Sequence, residues 1–396
     1  MDTAPGYRWF LAGAASWYGA LGMQNVLFSW LVVGELRASP EWVGVLQTST
    51  MLPTIAFLLM GGVTADRYDP RGLLMRLYLL GSLPVLALAV AVSSDRLTVA
   101  GLFTYGICIG TVSSFAMPAR DSMLSRVAGT DMMHAVTGTT ATQFGAQAVG
   151  ALVAGAARWV GSAPMIVLQA MLLVMGSFVT ARVPPRPPTA PLHPRSSVLR
   201  DIQHGMIEVA RTSRLRSATA LAMAVGLFFI GPFVVIYPLL VRDYYAGGVD
   251  RLSVLMMMFP LGTIAGSILL RRMGGLRRKG VAALRAQAMG SCVMASIGFG
   301  MPFWGLVVTT FLWGLNAAIF INCTRTISQE AAQPESRARV LSIHQLGFMG
   351  TTPVGAVLAG VVSGRVGPLT TLWIFAAGML TVVAATTLLT DTAKIE

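Results

Sequence analysis

Apolar runs of about 20 residues, the length that crosses a bilayer as a helix, recur along the whole chain and are separated by short polar or glycine- and proline-bearing breaks. They can be placed at 9–35, 42–65, 72–93, 97–118, 135–158, 162–182, 215–241, 250–270, 281–300, 303–323, 340–363 and 368–390. The pattern predicts an all-α membrane protein with twelve transmembrane helices. Six lie before a proline-rich break and six after it, giving an N-terminal bundle (1–182), a cytoplasmic linker (183–213) and a C-terminal bundle (214–396).

The two halves are related. Residues 115–155 and 320–360 align without a gap at an offset of 205, matching Phe115, Arg120, Gly145, Val149, Gly150 and Gly155 to Phe320, Arg325, Gly350, Val354, Gly355 and Gly360. In a chain this apolar, two pseudo-symmetric six-helix bundles are the pattern of a secondary transporter that rocks one repeat against the other around a central binding site.

Composition points the same way. With 55% hydrophobic and 11% charged residues and a mean hydropathy of +0.68, the chain carries far less than the ~25% charge of a soluble domain. It cannot cover itself with a polar surface. The first run follows a charge-poor start without a small-residue cleavage site, so it is expected to stay as a permanent helix.

The net charge of +13 suggests nucleic acid until its distribution is traced. With the N-terminus inside, Arg37, Arg96, Arg158, Arg242, Arg251 and Arg365 fall outside, and the remaining Lys and Arg fall on the cytoplasmic side. This positive-inside bias makes the basicity a matter of topology, with both termini cytoplasmic and no nucleic-acid partner.

The break itself, Pro184-Pro185-Arg186-Pro187-Pro188 with Pro191 and Pro194, cannot be helical. After it Val198, Ile202, Met206 and Val209 recur on one face, as in a short interfacial helix; a solvated tether is the alternative. Cys108, Cys292 and Cys323 have neither disulfide nor zinc spacing and read as small core residues. The four histidines, at 134, 193, 204 and 344, form no metal or catalytic set, so no cofactor and no enzyme activity are expected.

The first inner loop holds Gly61-Gly62-Val63-Thr64-Ala65-Asp66-Arg67-Tyr68-Asp69-Pro70-Arg71. A carboxylate followed by arginines at the membrane edge can form a charge lock that holds in one conformation only. This stretch resembles the loop between helices two and three of the major facilitator superfamily, in the Asp-Arg-x-Asp version of its bacterial drug and siderophore exporter branch, the enterobactin-exporter-like proteins. Met23-Gln24-Asn25, Trp30-Leu31-Val32 and Glu35-Leu36 resemble the branch's opening helix, and Pro118-Ala119-Arg120 its exit from helix four. Gln329, Pro334, Arg337, Arg339-Val340-Leu341-Ser342 and Gly350-x-x-Pro353-x-Gly355 resemble its passage from helix ten into eleven.

The resemblance implies the major facilitator fold, alternating access, and export of a small organic molecule in exchange for protons by a monomer in the bacterial cytoplasmic membrane. It makes Gly62, Asp66, Arg67, Arg71 and Arg120 a conformational switch. Asp66 would face the start of helix eleven, where the helix dipole favours a negative charge, and would stabilise the outward-facing state. Two departures stand out. Asp66 has Arg271 as its counterpart, and helix five carries Gly145-Ala146-Gln147-Ala148-Val149-Gly150 where such antiporters often have a Gly-Pro pair.

Proton coupling needs a titratable group within reach of a span. The candidates are Glu35, near the outer end of the first span and otherwise an interfacial acid paired with Arg37, together with His344 and Asp66 itself. Helices one, four, seven and ten line the cavity in bundles of this kind. With Gln143 on helix five, the substrate-cavity candidates are Gln24, Asn25, Phe28, Tyr105, Phe229, Tyr237, Asn316 and Asn322, with Trp30, Phe228 and Trp313 beside them. Interhelical hydrogen bonding is the alternative use of the amides. With no arginine or lysine placed mid-span, a neutral or cationic amphiphile such as a drug-like compound is the expected cargo. A lipid or lysolipid flippase on the same fold is the second reading, and a membrane receptor or enzyme a remote third.

Overall fold

A computed structural model describes residues 6–128, 132–185, 206–273, 278–332, 337–390 and 392. The long helices are α1 (Tyr7–Trp30), α2 (Pro40–Arg67), α3 (Pro70–Ser93), α4 (Val99–Val127), α5 (Met132–Ala154), α6 (Ser162–Thr180), α7 (Ser213–Tyr244, with π-helical turns), α8 (Val249–Arg272), α9 (Lys279–Ile297), α10 (Phe303–Ala331), α11 (Arg337–Val366) and α12 (Pro368–Leu389). Of the proline-rich break, Pro184 and Pro185 are described, and the rest of it, with the start of the proposed interfacial helix, lies outside the described residues. Residues 206–211 are helical, and Val209 is buried with Leu215, Ala332 and Val340.

Among the described residues, nine helices are long and apolar enough to cross a membrane. α1 is not one of them, because it spends positions on Trp, Tyr, Gln and Asn; many of its residues, Trp17 among them, are nonetheless buried. Hydropathy marks where lipid contact ends, not where the helix ends. α4 runs nine residues past its expected end at 118, and Pro118 sits inside it, tolerated because neighbouring groups can take up the freed carbonyl.

The chain divides into two compact units. One holds 1–38, 49–194 and 246–257, and the other 39–48, 195–245 and 258–396. The opening of α2 thus groups with α11, where the Thr48 hydroxyl donates to the Pro353 carbonyl at 3.1 Å. The opening of α8 groups with the first unit, where Arg158 pairs with Asp250 at 2.5 Å.

Each unit is built the same way. In the first, α1 packs on α5, α3 on α4 and α3 on α6; in the second, α7 packs on α11, α9 on α10 and α9 on α12. The closest approaches are made by matching glycines. A Cβ on Gly22 would collide with the Gln147 carbonyl and one on Gly150 with the Gly19 carbonyl; in the other unit Gly231 is pressed against Gly355, and Gly355 against the Leu227 carbonyl. The α2–α4 contact at Gly61 and Ser114 is repeated by α8–α10 at Gly266 and Leu315. Small residues let backbones touch where lipid supplies no hydrophobic drive to associate.

The repeat extends to irregular backbone. α1 ends in a π-helical turn, Leu31–Glu35, closed by the Leu36 amide donating to Leu31 at 2.9 Å; α7 ends in Leu240–Tyr244, closed by Tyr245 donating to Leu240 at 2.9 Å. α6 and α12 both start from a glycine with positive φ, Gly161 at 86° and Gly367 at 81°, a backbone shape that other residues adopt only under strain.

Candidate functional site

The sequence places four of the five candidate switch residues, Gly62, Asp66, Arg67 and Arg71, along one stretch of chain, and folding distributes them. α2 carries through Arg67, the turn falls on Tyr68 and Asp69, and Pro70 opens α3 at a position where its missing N–H costs nothing. Asp69 caps α3 by accepting from the Gly72 amide at 3.0 Å, and its other oxygen lies 3.5 Å from Arg126. The Asp66 side chain, and those of Arg337 and Arg339 at the start of α11, lie outside the described residues, as does Pro334. Arg67 is exposed. Arg71 Nη2 donates to the Ala181 carbonyl just past the end of α6. Gly62 has open space on its Cβ side; the close helix approach is made by its neighbour Gly61.

Arg120 is the exception to the peripheral pattern. It is only 5% exposed, and its guanidinium carbon lies 4.6 Å from the Tyr18 ring centre and 5.1 Å from that of Trp17. Tyr78 of α3 completes the box by stacking on Trp17 at 5.0 Å. Arg120 Nε and Nη2 are buried without a hydrogen-bond partner among the described residues. Arg120 lies in the last third of α4, which continues to Val127, beyond the end at 118 that the apolar run predicts. Sequence hydropathy ended the span at Pro118, and the aromatic partners come from helices far away in sequence. A cationic residue just after an apolar run, with Trp-Tyr pairs elsewhere, is too common a pattern to have flagged the box.

The cavity candidates separate into two groups. In the first unit Phe28 of α1 stacks on Tyr105 of α4 at 5.8 Å, and the Tyr105 hydroxyl is 3.5 Å from the Gln169 amide nitrogen. Gln24 and Gln143 are half-buried and Asn25 is exposed. In the second unit Trp313 is the hub of an aromatic cluster, with Phe229 at 5.5 Å, Phe233 at 5.6 Å, Phe259 at 5.8 Å and Tyr237 at 6.0 Å. Tyr237 is fully buried there. The Asn316 amide donates to the Ala286 carbonyl of α9 at 2.5 Å, and that of Asn322 to Ala318 of its own helix at 2.7 Å. Both amides are thus used on backbone, Asn316 as a link between helices.

Of the protonation candidates, Glu35 sits in the π-helical turn and accepts from the Ser162 hydroxyl at the start of α6, not from Arg37. His344 lies near the start of α11 with Nδ1 buried and without a partner among the described residues. The cysteines do not all behave as core residues: Cys323 is buried, but Cys108 and Cys292 are exposed. No group of three His, Cys, Asp or Glu able to hold a metal occurs among the described residues.

Comparison with known proteins joins these features. The sequence profile described as transmembrane secretion effector matches residues 7–394. Macrolide efflux protein A of Streptococcus pyogenes is 24% identical over 172 residues, 43% of this chain and 42% of that protein. The protein of the same name from Enterococcus faecalis is 25% identical over 37% of this chain and 45% of its own length. The chain therefore matches less than half the length of these curated relatives. Solved structures share its fold: the nucleoside transporter NupG (TM-score 0.74, 15% identity, 97% of this chain and 98% of that one) and a POT family transporter in complex with 5-aminolevulinic acid (TM-score 0.75, 11% identity, 98% and 97%). With a profile match over nearly its full length and this fold, the chain belongs to the transmembrane secretion effector family of the major facilitator transporters.

Proposed function

We propose that this protein exports an amphipathic organic molecule, of the macrolide or siderophore kind, from the cytoplasm of a bacterium by alternating access in exchange for protons. The matched glycine contacts of α1–α5 and α7–α11 carry the reading, because two units built to one plan are what a carrier needs to present one site to either side in turn. Gly62, Asp66, Arg67, Arg71 and Arg120 form the switch, and Gln24, Asn25 and Gln143, which are half-buried or exposed, offer the cargo polar contacts. The macrolide efflux proteins among its relatives support a large, mostly apolar cargo.

Reconstitution in vesicles tests this. A macrolide should be taken up against its gradient when a pH difference is imposed, and Asp66→Asn should abolish that uptake while leaving insertion intact. Uptake of no macrolide or siderophore, or uptake indifferent to the pH difference, removes the cargo class or the coupling respectively.

A further inference from the structure

The outer surface of the first unit carries a groove that the transport reading does not use. It is lined by Leu86 of α3 and by Val167, Met171, Val174, Phe178 and Arg182 along and just past α6, and encloses about 510 Å³. The two helices run antiparallel there: the Ser177 hydroxyl donates to the Met75 carbonyl at 3.0 Å, and Arg71 reaches Ala181. From Val167 to Arg182 the groove follows α6 for roughly 22 Å at 1.5 Å per residue. That exceeds the ~15 Å depth of one leaflet's hydrocarbon, half the ~30 Å core. Its shape suits a chain and not a compact ring system.

Its walls are apolar and adaptable. Met171, Met175 and Phe178 are 60%, 50% and 68% exposed, and methionine side chains repack around flexible ligands. Its end is cationic. The Arg182 guanidinium lies 4.8 Å from the centre of the Trp9 ring, an arrangement that fixes the plane of the guanidinium and leaves its in-plane donors available. Arg71 stands behind it with Nε buried and without a hydrogen-bond partner among the described residues. No carboxylate lines the groove. Trp beside Arg is the composition of a membrane–water boundary, and basic sites between helices on the inner face attract anionic head groups.

We propose that this groove is a binding site for an anionic phospholipid, with one acyl chain along α6 and the phosphate on Arg182, backed by Arg71. The groove itself is separate from the cargo route and shares only Arg71 with the proposed switch, so the lipid site stands whether or not the transport reading holds.

The test uses the full-length protein purified in detergent with an equal mixture of phosphatidylglycerol and phosphatidylcholine of identical chains, with retained lipid read by native mass spectrometry. Phosphatidylglycerol should be retained at least fivefold over phosphatidylcholine. Arg182→Gln should bring the two to parity, and Val174→Trp, which fills the groove, should lower retention of both. Arg182→Lys keeps the charge and loses the stack, and should fall between. Equal retention of the two lipids by the unaltered protein, or an unchanged preference in Arg182→Gln with a folded, monodisperse sample, overturns the proposal.

Discussion

The Arg120 guanidinium lies 4.6 Å over the Tyr18 ring, with Trp17 on the same helix and Tyr78 beside it, and two of its nitrogens are buried without a hydrogen-bond partner among the described residues. Taking a charge out of water costs several kcal/mol unless it is compensated. Two aromatic faces return about 0.5–2 kcal/mol each, and the Tyr18 and Tyr78 hydroxyls also interact favourably with the cation. In the proposed switch, Arg120 would leave this box to meet a carboxylate in another conformation.

The balance has a measurable consequence. Arg120→Met keeps the volume and removes the charge, so the thermal unfolding temperature of the purified protein should stay unchanged or rise by a few degrees, while vesicle uptake falls at least tenfold. Arg120→Lys, with a compact and strongly hydrated ammonium in place of the flat guanidinium, should lose both stability and transport. A marked loss of stability in Arg120→Met would make the residue a packing element and remove it from the switch.

The glycine contacts allow a paired prediction. Gly22→Ala and Gly355→Ala each press a methyl against backbone, which cannot move aside as a side chain can. Each should cost about 1–3 kcal/mol, as overpacking does; Gly150→Ala, at the place that matches Gly355 and against the Gly19 carbonyl, should cost about as much as Gly355→Ala. Gly62→Ala meets nothing within 4 Å and lies inside α2. It should leave stability unchanged or raise it by about 0.5–1 kcal/mol, so any fall in transport in that variant reports on the switch. Thermal unfolding with parallel uptake assays separates the two effects.

Trp313 and Asn322 on α10 should behave in opposite ways. Trp313 touches four other rings, and Trp313→Ala should cost about 3–5 kcal/mol. Asn322 is exposed and bonds only within its own turn. Asn322→Ala should stay within about 0.5 kcal/mol, so a changed apparent KM for cargo would place this side chain in the cavity. An unchanged KM would leave it as a local helix contact.

How far the chain could be read in advance depends on what each feature requires. The spans and the duplication were legible because lipid demands long apolar runs and because a 205-residue offset preserves glycines such as Gly150 and Gly355 that the packing needs. The loop motif was legible as a resemblance, but its geometry was not: Asp69 caps α3 and pairs with Arg126, a use of the second acid that depends on where α4 ends. The box around Arg120 was hidden because its members lie on α1, α3 and α4, and hydropathy had closed the span at 118, just before Arg120. The π-helical turns carry no sequence mark at all. They became recognisable as features only because both units contain one at the same place.

One of those turns bears on coupling. Glu35 lies in it, exposed at its end, and accepts from Ser162, which follows the positive-φ Gly161 at the start of α6. Protonation of Glu35 would remove its charge but leave it an oxygen able to accept, so the contact with α6 can persist while the charge changes. Glu35→Gln copies the protonated form: it keeps the acceptor, cannot release a proton, and should not destabilise the protein. If Glu35 is the coupling acid, this variant should still equilibrate cargo down its gradient but lose all stimulation by an imposed pH difference. Ser162→Ala, which removes the donor but not the proton site, should retain stimulation. His344→Gln should leave the stimulation intact. Persistent stimulation in Glu35→Gln, together with its loss in His344→Gln, would move the coupling site to the start of α11.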